Sequence, residues 1–152
     1  MGENRSAIII GCDHGAVELK TVIKRYLEDT GVEVADVGTH GTSSVDYPEY
    51  GCKVSAAVSK GDYARGVLLC GTGLGMSMVA NRFSGVRAAL CNDLFSARMS
   101  REHNDANILV MGGRVVGEAL ALEIVKYWLE TPFGGGRHQK RLDQFDGIPT
   151  CG

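Results

Sequence analysis

Residues Gly66-Val67-Leu68-Leu69-Cys70-Gly71-Thr72-Gly73-Leu74-Gly75-Met76-Ser77 pass from a short apolar run, through three glycines at alternate positions, into a segment that begins like a helix. A strand that breaks into a glycine-rich turn at a helix start is one β-α unit. Its turn aims several backbone N–H groups at one point, an arrangement that binds anions. Cys70, at the lip of the turn, is a candidate base or nucleophile, or simply a core residue.

The same alternation recurs along the chain. Residues 6–12 (SAIIIGC) form a continuous apolar run, as a parallel strand buried on both faces does. Leu19, Val22, Ile23, Tyr26 and Leu27 then repeat at helical spacing, and Gly31 stops that helix. Further strands are expected at 32–37, 66–70, 86–91 and 107–111. Helices are expected from Pro48 through Val58, from about Gly75, from Asp93 as N-cap, across 117–129, and across 137–145. Five β-α units with short connections predict a three-layer αβα sandwich around a five-stranded parallel, Rossmann-like sheet. Ligands bind such sheets at the carboxyl ends of the strands, where strand order reverses. The residues placed there are Asp13-His14, Thr39-His40, Cys70–Gly75, Asn92-Asp93 and 112–114.

The bulk composition narrows the class. A chain of 152 residues suits one domain with a real core, burying roughly 68–70% of its unfolded surface. Apolar content of 44% and charged content of 22% are ordinary for a globular protein. A net charge of −2 argues against a nucleic-acid footprint. No apolar run approaches the roughly 20 residues of a membrane span, and no signal peptide precedes the first strand, so a cytoplasmic protein is expected. The five cysteines lack CxxC or zinc-like spacing, so reduced thiols and no metal are expected. Residues 1–5 read as a disordered leader. Residues 1–6 also fit a loose myristoylation pattern, but without a second, basic signal. Residues 137–152 read as a terminal helix and tail.

Several constellations carry possible chemistry, each beside a plainer reading. Asp13-His14 can hold sugar hydroxyls and a phosphate, or cap a helix. The turn after Cys70 has the spacing G-x-G-x-G, which breaks the dinucleotide fingerprint, although Asp93 lies where a ribose-binding acid would. Residues 100–107 (SREHNDAN) are dense in polar groups, as a solvated helix end is. Arg137 and Arg141 share a helix face at i, i+4 and suit a phosphate, or form a basic tail helix. Arg114 is a possible third cation.

Together and in order, Gly11–Gly15, Val45–Pro48, Cys70–Ser77, Ala80-Asn81, Gly85–Ala88, Ser100–Asn107 and Gly134–His138 resemble the family of ribose-5-phosphate isomerase B and the galactose-6-phosphate isomerase subunits. The resemblance runs from about Ala7 to about Phe145. It implies an aldose–ketose isomerase that interconverts ribose 5-phosphate and ribulose 5-phosphate through an enediolate, with no cofactor. By similarity Cys70 is the base, Thr72 supports it, and the amides of Gly71, Gly73, Leu74 and Gly75 hold the enediolate. His103 assists ring opening, and Asn104 and Asp13 bind the sugar. His14, Arg114, Arg137 and Arg141 bind phosphate, and Tyr47 lines the site. In the family the His-Asn segment reaches into a partner subunit's site, which implies a homodimer or dimer of dimers with shared active sites. Met76 and Arg82 depart from the commoner pattern, and Cys70 with Ser77 places the chain in the branch whose base is cysteine. The alternatives are a six-carbon substrate (allose or galactose 6-phosphate) and a non-catalytic nucleotide- or phosphate-binding module.

Overall fold

The structure, a computed structural model, describes residues 7–149. The leader expected at 1–5 and the end of the tail, with Cys151, lie outside the described residues.

Five strands alternate with six helices. The strands are β1 (Ile8–Cys12), β2 (Val34–Asp36), β3 (Arg65–Cys70), β4 (Ala88–Leu90) and β5 (Ile108–Gly112). The helices are α1 (Val17–Asp29), α2 (Tyr47–Lys60), α3 (Leu74–Ala80), α4 (Leu94–Glu102), α5 (Glu118–Glu130) and α6 (Arg137–Asp146). One 3-10 turn, His14–Ala16, separates β1 from α1. The sheet is parallel throughout, in the order β2-β1-β3-β5-β4.

Strand side chains alternate between two cores. Ile8, Ile10, Cys12, Val67, Leu69, Leu109 and Met111 enter one core, with Ile23 and Leu27 of α1, Ala97 of α4 and Trp128 of α5. Ile9, Leu68, Cys70, Ile108 and Val110 enter the other, with Val54 of α2 and Met76 of α3. This period of two, buried on both faces, is why β1, β3 and β5 read as unbroken apolar runs. Right-handed crossovers account for the helix layers: a connection running leftward along the sheet lies on the opposite face from one running rightward. Accordingly α2 packs on α3, while α5 packs on α1 and α4.

Local chemistry sets the element ends. Pro48 sits in the first turn of α2, and Gly61, at φ 82°, closes that helix in the left-handed conformation. Asp93 caps α4, with Oδ1 accepting from the Ser96 N–H at 2.7 Å and Oδ2 from the Ser96 hydroxyl at 2.8 Å. The edge strands are half the expected length, three residues each in place of 32–37 and 86–91. An edge strand has a ladder partner on one side only. Single bonds continue beyond both edge strands, from the Val37 N–H to the Ile10 carbonyl and from the Cys91 N–H to the Val110 carbonyl, each at 3.0 Å. The chain then turns away into its loops.

Candidate active site

Strand order reverses between β1 and β3, so the loops leaving their carboxyl ends diverge to opposite faces and open a crevice between them. Three loops meet there. The Asp13 N–H donates to the Leu69 carbonyl at 3.2 Å, the Gly113 N–H to the Cys70 carbonyl at 2.8 Å, and the Arg114 N–H to the Gly71 carbonyl at 2.9 Å. A side chain on Gly15 would stand 3.2 Å from the Gly71 nitrogen. Glycine is what lets these backbones touch.

Cys70 closes β3 and is 4% exposed. Its Sγ accepts the Gly73 N–H at 3.2 Å, and Thr72 Oγ1 accepts the Leu74 N–H at 3.3 Å. Two of the amides expected to serve an oxyanion are therefore turned onto the thiol and the hydroxyl. Gly73 lies at φ 83°, and a Cβ there would fall 2.5 Å from Leu90 Cδ1 and 3.0 Å from the Met111 carbonyl carbon. Gly75 makes room for the Tyr47 ring, which a Cβ would meet at 2.5 Å. The Arg114 guanidinium lies over Gly71, 3.6 Å from where its Cβ would be.

Asp13 and His14 stand at the carboxyl end of β1, and Asp13 is a helix cap. Asp13 Oδ1 accepts the Gly15 N–H at 2.9 Å and so caps the 3-10 turn, while the residue faces the crevice edge at 8% exposure. His14 Nδ1 accepts the Val45 N–H at 3.2 Å. A neutral His14 therefore carries its proton on Nε2, as a donor. The loop supplying Val45 is anchored from below by Lys20, which the sequence reading passed over and which is 1% exposed. Lys20 Nζ donates to Asp36 Oδ1 at 2.7 Å and to the Thr39 carbonyl at 2.6 Å. Burial alone would raise the Asp36 carboxyl, but the Lys20 ammonium and the Gly38 N–H outweigh it and hold the group below its ordinary range.

The remaining predicted residues lie at the other end of the sheet. His103 and Asn104 follow α4, which runs back from the carboxyl end of β4. Asn107, just beyond them, accepts the Gly66 N–H at its carbonyl and donates its N–H to the Arg87 carbonyl, each at 2.9 Å. Those partners stand at the starts of β3 and β4. Gly66 pairs with Ile108 and Cys70 with Gly112, so the two ends are separated by four residues of strand, about 13 Å at 3.3 Å per residue. Arg137 and Arg141 share this lower end through α6. The Gly134 N–H donates to the Glu102 carbonyl at 2.9 Å. The His103 and His138 rings stack at 4.2 Å between centroids, 14° from parallel. His138, absent from the predicted site residues, is held below its ordinary pKa by desolvation and then by the positive charges of His103, Arg137 and Arg141. Its place beside Arg137 in the sequence was the available signal.

One chain thus gathers Asp13, His14, Tyr47, Cys70, Gly71, Thr72, Gly73, Leu74, Gly75 and Arg114 at the upper end, and His103, Asn104, Arg137 and Arg141 at the lower. The four residues expected to bind phosphate are divided between the two. Asp93, the acid a nucleotide ribose would need, is spent capping α4. Among the described residues no three His, Cys, Asp or Glu side chains come together as a metal site, and no helix is long and apolar enough to cross a membrane.

Known proteins share this architecture. The family model described as Ribose/Galactose Isomerase matches residues 8–145. Ribose-5-phosphate isomerase B of Escherichia coli is 47% identical over 141 residues, which cover 93% of this chain and 95% of that protein. The D-erythrulose-4-phosphate isomerase of Pectobacterium atrosepticum is 40% identical over 139 residues, 91% of each chain. The solved structure of Clostridium thermocellum ribose-5-phosphate isomerase B superposes with a TM-score of 0.91 at 54% identity, covering 92% of this chain and 95% of that one.

Proposed function

The chain belongs to the ribose/galactose isomerase family and is an isomerase, and we propose that it interconverts ribose 5-phosphate and ribulose 5-phosphate through an enediolate with Cys70 as base. One observation carries this reading: a buried thiol at the switch-point crevice, with the Gly73 N–H on its sulfur and the Arg114 guanidinium over the adjoining glycine.

The chemistry is a proton moved between adjacent carbons. Cys70 Sγ takes the C2 proton of the open-chain aldose. The C–H electron pair forms the C1–C2 double bond, and the carbonyl pair withdraws onto O1. The thiol then returns its proton to C1, while the 2-hydroxyl proton passes to O1, directly or by way of solvent, and leaves the ketone at C2. Negative charge develops on oxygen beside the glycine turn, where the Gly71 and Gly75 N–H dipoles and the Thr72 hydroxyl stabilise it at little reorganisation cost. Asp13 and Tyr47 border the sugar, and His14, with its donor on Nε2, and Arg114 meet an anionic group.

The active unit in this reading is a homodimer. His103 and Asn104, with Arg137 and Arg141, lie too far below Cys70 to share a substrate with it in one chain. A second copy brings its lower end to the first copy's crevice. The apolar side chains of Leu74 and Met78, exposed at 52% and 67%, follow the turn at the crevice rim, that of Phe95, at 72%, follows the edge strand β4, and a partner would cover them. Each substrate then meets the base of one subunit and the ring-opening His103 of the partner subunit.

Mixing tests this directly. Cys70→Ala and His103→Ala chains, each left with only residual turnover of ribose 5-phosphate when alone, should recover about a quarter of wild-type activity once subunits exchange at random, because half the dimers are mixed and each holds one intact site. Full turnover by Cys70→Ala would overturn the base assignment, and an inactive mixture of exchanging subunits would overturn the shared site. The family description and the four-carbon substrate named for the Pectobacterium relative favour a second reading, in which the sugar has another length. Comparing kcat/KM on ribose 5-phosphate with that on D-erythrulose 4-phosphate and on allose and galactose 6-phosphates separates the two.

A further inference from the structure

The segment between α4 and β5 is closed by more bonds than its length requires. The Asp105 N–H donates to the Arg101 carbonyl at 3.1 Å, and Arg101 Nη1 donates to Asp105 Oδ1 at 2.9 Å, so the turn is tied once through the backbone and once through side chains. Arg101 Nη1 also reaches the Ala106 carbonyl at 2.6 Å, and its guanidinium lies 5.6 Å from the centre of the buried Trp128 ring. From the other side Arg87 donates through Nη2 to Asp105 Oδ2 at 3.1 Å and through Nε to the Asp105 carbonyl at 3.0 Å. Arg87 Nη1 stands 3.5 Å from Asp146 at the end of α6. Two guanidinium forks from different elements thus hold one carboxylate.

Asp105 is also the one non-glycine residue at positive φ among those described, at 45°. That conformation costs free energy for any residue with a side chain, and Asp and Asn bear it best. Neutralising a charge needs one partner and no special backbone. A carboxylate clamped on both oxygens in a left-handed residue fixes a direction. Between the clamped Arg101 and Asp105 stand His103, half-buried against His138, and Asn104, exposed.

We propose that Asp105 is a positioning residue: clamped by Arg101 and Arg87, it holds the turn that presents His103 to the active site. This rests on the assignment of His103 to ring opening. Asp105→Asn keeps the backbone preference but only one acceptor oxygen, so its amide NH2 faces a guanidinium and one arm of the clamp is lost with the charge. Asp105→Gly keeps the backbone conformation and removes the clamp. Turnover of ribose 5-phosphate should fall about tenfold in Asp105→Asn and further in Asp105→Gly, with KM changing less than kcat, as for a misplaced reacting group.

A double-mutant cycle separates positioning from general stability. If Asp105 acts through His103, His103→Ala with Asp105→Asn should be no slower than His103→Ala alone, within about twofold. A further tenfold loss in the double variant would overturn the proposal, as would wild-type kcat in both single Asp105 variants. Wild-type turnover by His103→Ala would remove the His103 assignment itself and the positioning role with it. Should Asp105→Gly not fold, Asp105→Asn with its thermal midpoint carries the test.

Discussion

The upper and lower ends of the sheet are built by different means. At the upper end the strands deliver their last residues to one crevice, and backbone contacts between glycine turns hold Cys70, Asp13 and Arg114 together. At the lower end His103 follows α4 while Arg137 and Arg141 lie along the first half of α6, and the His103 turn is tied by side chains, namely a stack on His138 and an Arg101–Asp105–Arg87 clamp. The first kind of site is fixed by the fold. The second depends on particular charges and can be lost with the fold intact.

The largest effect should come from the upper end. Cys70→Ser should lower kcat by about 10²–10⁴-fold, the span of a lost general base, with the thermal midpoint within a few degrees of wild type. A variant that loses its midpoint along with its activity would make the cysteine a packing residue.

Lys20 should separate the two ends by stability. Lys20→Met takes away the closest cation of the largely covered Asp36 carboxylate, leaving Lys24 and His40 at 3.8 Å, and should cost up to about 3 kcal/mol in urea unfolding. Adding Asp36→Leu should recover much of that loss. Arg137→Ala at the lower end should do the opposite: raise KM about tenfold or more, as loss of a charge-assisted phosphate bond does, with kcat and stability little changed. An altered midpoint with unchanged kinetics would make α6 a structural helix only.

The smallest effect is on pH. Asp36 titrates below its ordinary value in the folded chain, so its ionised form contributes stability above about pH 4, and that contribution is lost as pH falls through the folded value. Lys20→Met should flatten the acid limb of the stability profile below about pH 4. An unchanged limb would mean that Lys20 does not hold Asp36 down.

The sequence carried these two ends unequally. Hydrophobic runs ending in Cys12, Cys70 and Met111 placed the strands, and the strand-end rule named Asp13-His14, Thr39-His40, 70–75, Asn92-Asp93 and 112–114 as converging before any family was considered, of which Asp93 instead caps α4. Strand order was not legible, because β4 and β5 differ in sequence only by length and apolarity, and nothing local states that β5 inserts beside β3. The lower end was legible chiefly by resemblance. A residue after a helix lies a full sheet away from one after a strand, but which helix termini meet there depends on long-range packing. Lys20 shows the limit most clearly. Its place beside Leu19 gives no sign that α1 turns it into the core, since an ammonium is buried only where Asp36 and the Thr39 carbonyl already await it.

Helix α6 buries one side chain, Leu142, a contribution of about 1.5–3 kcal/mol against the roughly 5–15 kcal/mol that holds a whole domain together. Its amides should therefore exchange with solvent by local opening, well ahead of those of β3 and β5. Arg137, His138 and Arg141 ride on that helix, so a phosphate that engages them must also bear the cost of keeping it wound. Hydrogen exchange in saturating inorganic phosphate should slow in α6 while the sheet amides stay as they were.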